Sequence, residues 1–310
     1  MKKSLKEIVS KQVEEIREYA SKFTVKDIRD GEWFVQFITY SLSNYAKKVN
    51  PQYFKTKYPN VPVEGIVKKR IKLAQKYAAI EGGLSASLYS GSVAATIGSL
   101  GGASPITTSA AITSFVVDML YTTKLQLNLA YDLSVLYNKP ANIEDPEDVI
   151  DLIRIAFGVK ASEKLTSAVS KIAPETVRVG IKATIHTTKL AWLKSLPVVG
   201  KFLLQRNIIK FAIPVVCIPL STGMNYYFTG KIAKSAKNIY KQRAIIAERS
   251  KDIINNVSSD YLLLIEIMWI VINADKKTTD DEINFMNEIT KLVELTEDEE
   301  TVSQLKEFRE

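Results

Sequence analysis

Apolar residues recur along this chain at three- and four-residue intervals, which is the period of a helix with one buried face. The first run, Leu5, Ile8, Val9, Val13, Ile16, Tyr19, Ala20 and Phe23, follows Ser4-Leu5-Lys6-Glu7, a capping box in which serine and glutamate satisfy each other's backbone N–H groups. An amphipathic helix therefore opens the chain. A second helix is predicted over residues 32–49, ended by Asn50-Pro51, with 51–62 as a connector, and a third over 64–80.

Residues 82–117 contain no charge over 36 positions, more than the twenty or so that cross a bilayer. Gly, Ala, Ser and Thr dominate the segment, so it is uncharged without being greasy. Gly101-Gly102 and Ser104-Pro105 split it into a predicted antiparallel helical pair, with Ser104 suited to cap and Pro105 to begin the second member. Along the first member Gly83, Ser87, Gly91, Ala95 and Ser99 recur every fourth residue. Such a ridge of minimal side chains lets another backbone approach closely, either inside a soluble bundle or between helices in a membrane.

Tyr121, Leu125, Leu129, Leu133 and Leu136 stripe the next helix, which stops at Asn138-Lys139-Pro140, and Asp145-Pro146 begins another. Further helices are expected around 163–172 and 174–192, then a proline-interrupted segment over 196–228, a basic helix over 229–249 and a linker over 252–260. Residues 262–272 are apolar apart from Glu266 and read as a buried helix; Thr279-Asp280-Asp281-Glu282 is a second capping box. No alternating strand pattern is present. The predicted fold is all-α, a multi-helix bundle with a Gly/Ser/Ala-rich central helical pair and a small C-terminal helical appendage, divided as residues 1–63, 64–251 and 260–310.

Charge changes this picture. The chain carries a net +8, yet from Asp275 onward there are twelve acids against five bases, which leaves +15 on the rest. Between Glu175 and Glu248 no acid occurs while twelve Lys and Arg do. A stretch of that kind meets something anionic. Within it Lys231, Lys234, Lys237 and Lys241 share about a third of a helix, opposite Ile232, Ala233, Ala236, Ile239 and Tyr240. One reading is a core-packed helix with a solvated lysine face; the other is contact with anionic headgroups. DNA is disfavoured, because helical readers present Arg, Asn or Gln to base edges.

One histidine, His186, and one cysteine, Cys217, support neither a Cys-His nucleophile pair nor a His-rich metal site, and no phosphate-loop or metalloprotease signature occurs. No catalytic residue, metal or cofactor is expected. Asp275, Asp280 and Glu282 lack the alternating acids and central glycine of a calcium loop, so helix capping is their expected role. The lone thiol favours a reducing compartment. The charged N-terminal residues lack the apolar core of a secretion signal, and a cytoplasmic location is expected, peripheral on the inner face of the cell membrane.

Residues 71–240 resemble the EcsC family. The likeness rests on the glycine-rich pair of segments, Ala103-Ser104-Pro105 leading to Asp118, Tyr137, Leu152-Ile153-Arg154-Ile155-Ala156-Phe157-Gly158, Ile213-Pro214-Val215-Val216, Gly223, Asn225-Tyr226 and Phe228-Thr229. From about residue 260 the chain resembles a TerB-like helical domain of the tellurite-resistance type, through Ala274-Asp275, Glu282, Phe285 and Met286. These resemblances imply a helical bacterial protein associated with membrane transport or stress systems, with no catalytic residues to carry over. The function expected is that of a non-enzymatic, membrane-associated adaptor: the lysine face contacts anionic lipid and the acidic tail a protein partner. The alternative is a membrane-inserting effector or pore that oligomerises through the small-residue ridge.

Overall fold

Ser4 begins the first helix as its sequence requires. In the computed structural model, which describes residues 4–86, 109–157, 217–257, 261–274 and 279–295, the Ser4 Oγ accepts from the Glu7 N–H at 3.2 Å and the Glu7 carboxylate accepts from the Ser4 N–H at 3.0 Å. Helix α1 (Leu5–Ala20) follows and buries Val9, Val13, Ile16 and Ala20 along one face. All regular structure among the described residues is helical, so the all-α architecture stands.

Thr24 and Asp27 cap each other to start the short α2 (Val25–Asp30), and Gly31 at φ 81° turns the chain into α3 (Glu32–Ala46). That left-handed backbone is accessible to glycine without a Cβ clash. Residues 51–62 are not a simple connector. Asn50 accepts from the Tyr53 N–H at 2.8 Å, and Pro51 opens α4 (Pro51–Lys57), because a proline in the first turn removes an N–H that has no intrahelical acceptor anyway. Helix α5 covers Val63–Ala86, longer than the pattern predicts.

Helix α6 (Ser109–Leu136) is the centre of the first unit, with α1, α3, α4, α5 and α7 (Pro146–Phe157) all packed against it. It is buried nearly all round rather than along one stripe: Met119, Leu120, Leu127 and Leu133 have no exposed surface, and neither does Asp132. Trp33 and Phe34 of α3 close one side, with Phe34 against Phe157 of α7 at 6.2 Å between ring centroids. At the end of α6, Tyr137 is buried and Asn138 adopts φ 56°, a left-handed position that asparagine tolerates after a helix.

One helix, α8 (Cys217–Asn256), replaces the expected proline-interrupted segment, basic helix and linker over 217–256. Pro219 lies within this helix. Residues 217–236 belong to the first unit and 237–256 to a second, which also contains Tyr137–Lys139 and the remaining C-terminal residues. In that second unit α9 (Tyr261–Asn273) and α10 (Asp280–Glu294) pack together around Ile254, Ile265, Met268, Ile289 and Val293. The Thr279–Glu282 capping box is formed, and Lys139 pairs with Glu288 at 2.6 Å. Helix α9 is buried on one face only: Ile270 and Val271 are each 67% exposed, so its continuous apolar run does not mark a fully enclosed helix.

Candidate functional site

Two features of the first unit carry chemistry. One is the outer face of α8. Ala233 and Ala236 face inward, while Lys231 and Lys234 are exposed, as the helical pattern places them. At about 100° per residue, Tyr227 falls on the same arc as these two lysines. It is 62% exposed, and its neighbours Tyr226 and Phe228 are also exposed. The Tyr227 and Phe228 rings meet edge to face at 5.7 Å. Further along α8, in the second unit, Lys241 is exposed and Lys237 is half-buried.

The residues that suggested a family take structural positions. Asp118 and Tyr137 are buried on and just after α6, and Asn225 is buried on α8. The Asn225 carboxamide donates to the fully buried Glu81 of α5 at 3.3 Å. Gly223 has open space where a Cβ would project. Of the small-residue ridge, Gly83 is described: a Cβ there would stand 3.2 Å from the Thr222 hydroxyl of α8. Ser87, Gly91, Ala95, Ser99 and Pro214 lie outside the described residues, as does His186.

The second feature is a polar cavity of about 210 Å³ walled by α1, α3, α4, α5 and α6. Asp132 of α6 has a side chain with no exposed surface. Arg70 of α5 donates to it through Nε at 2.7 Å and pairs through Nη2 at 2.5 Å. The Tyr45 hydroxyl of α3 donates to the other carboxylate oxygen at 2.7 Å and accepts from Arg70 Nη2 at 3.0 Å. Burial drives the Tyr45 phenol far above its ordinary range, and the neighbouring carboxylate adds to this. Burial also pushes the Asp132 carboxyl up, against the pull of Arg70 and Tyr45. Arg70 itself is held protonated: desolvation opposes its charge, and Asp132 more than offsets that.

Beside this triad stand Lys124 and Asn128, two turns and one turn N-terminal to Asp132 on α6. Burial lowers the pKa of the Lys124 ammonium, Glu15 raises it and Lys48 lowers it further. Among the described residues Lys124 makes no ion pair and the buried Asn128 Oδ1 has no hydrogen-bond partner. Tyr53 and Lys57 of α4 also line the cavity, with the exposed Lys57 donating to the Tyr53 hydroxyl at 2.5 Å.

The apolar ridge Tyr121, Leu125, Leu129 and Leu133 dominates the hydrophobic pattern of α6, and a polar ridge runs beside it. Lys124, Asn128 and Asp132 recur every fourth residue, a period that puts them on one face of α6. That was the available signal. Arg70 and Tyr45 become their neighbours only through tertiary packing.

Comparison with protein-family models, with curated proteins and with solved structures finds no match to this chain. Among the described residues no helix is long and apolar enough to cross a membrane, and no group of His, Cys, Asp and Glu has a metal-binding arrangement.

Proposed function

We propose that this protein associates peripherally with anionic membrane surfaces through the N-terminal half of α8, in a non-enzymatic, adaptor-like role. The observation that carries this reading is the arc of exposed aromatic and cationic side chains: Tyr227 and Phe228 followed by Lys231 and Lys234. Tyrosine suits the bilayer interface because its ring favours the apolar boundary while its hydroxyl stays hydrated. A lysine near an anionic leaflet contributes about 1 kcal/mol. Charge complementarity favours lipid over a basic or neutral partner, since no acid occurs from residue 176 to 247. A surface helix of this kind lies in the interface and requires no spanning segment.

Flotation with phosphatidylserine-containing vesicles tests the reading. The full chain is expected to co-float with these and to stay behind with phosphatidylcholine vesicles alone. Replacing both Lys231 and Lys234 by Gln should weaken the association by about tenfold or more, from roughly 1 kcal/mol per lysine. Tyr227→Ser with Phe228→Ser should also weaken it, with circular dichroism unchanged. Equal recovery of the unmodified chain with charged and neutral vesicles would overturn the proposal.

A further inference from the structure

We infer that the polar cavity among α1, α3, α4, α5 and α6 is a binding site for a small phosphate monoester. Its lining contains three cationic side chains, Lys57, Arg70 and Lys124, and one carboxylate, Asp132. Asp132 is already consumed by Arg70 and Tyr45, so two cationic charges are left in excess. A phosphate monoester carries close to two negative charges at neutral pH and offers three acceptor oxygens. A carboxylate or a phosphodiester supplies only one negative charge.

The positions of the polar groups fit such a ligand. Lys124 is a largely desolvated ammonium without an ion pair among the described residues, an arrangement that favours taking up an anion. Asn128 lines the cavity one turn from Lys124, and its carboxamide Nδ2 can donate to a phosphate oxygen. Arg70 and Tyr45 cannot swing to follow a ligand, because Asp132 holds both; they form a fixed floor. Lys57 stands exposed on α4, paired with the Tyr53 hydroxyl, where it can draw an anion inward. Leu125, Leu129 and the tyrosine rings of the lining give the organic part of the ligand an apolar surface, so an aryl or otherwise planar substituent is favoured.

Isothermal titration of the full chain with phenyl phosphate tests the inference. Saturable binding with one site per chain is expected. Benzoate and glycerophosphocholine, one carboxylate and one phosphodiester, should bind at least tenfold more weakly. Lys124→Met should weaken phenyl phosphate by tenfold or more, about 1.4 kcal/mol, while Lys124→Arg retains most of the affinity. Lys57→Gln, on an exposed position that tolerates substitution, should weaken it several-fold and keeps the test decisive if the Lys124 variant fails to fold. The inference is overturned if the unmodified chain shows no saturable heat with phenyl phosphate. It is equally overturned if benzoate or glycerophosphocholine binds as tightly, or if the folded variants titrate like the parent.

Discussion

Asp132 shows how a single residue can be necessary without being a net source of stability. Its carboxylate has no exposed surface, and three hydrogen-bonding or ionic contacts from Arg70 and Tyr45 replace the water it has lost. Desolvating two charges costs about as much as their attraction returns, so exchanging the whole pair for apolar groups of similar volume is often neutral. Removing one partner is different, because the other charge is left buried alone. Asp132→Asn is therefore expected to destabilise the fold by about 3–5 kcal/mol, measured by urea unfolding. The double variant Asp132→Leu with Arg70→Met should lose less than Asp132→Asn alone. A single variant within about 1 kcal/mol of the parent, the size of an ordinary hydrogen bond, would show that water reaches the pair and that the cavity floor is not fixed.

Among the elements, those governed by local chemistry were legible from the chain. Ser4–Glu7 and Thr279–Glu282 are caps whose partners lie three residues apart, so pattern and structure agree on α1 and α10. A proline misled where position in the helix decided its effect. Pro51 reads as a break, yet it lies in a first turn and starts a helix. The approach of α5 to α8 was less accessible, because it joins residues about 150 positions apart. Gln75 donates to the Tyr226 carbonyl at 3.3 Å, and a Cβ on Gly230 would stand 2.2 Å from the same Gln75 amide nitrogen. The obstacle is the far end of a flexible side chain. Gly230→Ala would gain about 1 kcal/mol of helix propensity and lose about 1 kcal/mol if that hydrogen bond opens. Thermal unfolding should therefore place Gly230→Ala close to the parent. Gly230→Leu, which cannot fit by moving one amide, should lose about 1–3 kcal/mol. If alanine proved as damaging as leucine, the contact would be rigid backbone packing rather than a movable side chain.

At the scale of the molecule, the charge distribution links the exposed face of α8 to a measurable salt dependence. The acid-free stretch was visible in the sequence, and so was the lysine period; what remained hidden was that Tyr227 and Phe228 stand exposed at its edge, since an aromatic pair in an uncharged run usually enters a core. Two forces then act on the same surface with different ranges. The attraction between lysines and an anionic bilayer is screened over about 10 Å at 0.1 M salt and about 3 Å at 1 M. Burial of an aromatic ring at the interface is not screened. Vesicle affinity measured over a salt series should fall steeply and then level at a residual value. Exchanging Lys231 and Lys234 for Gln should flatten the steep part, whereas Tyr227→Ser with Phe228→Ser should remove the residual and leave the slope. Salt-independent vesicle binding would separate the aromatic contribution from the electrostatic one and reject the lysine face as the source of membrane preference.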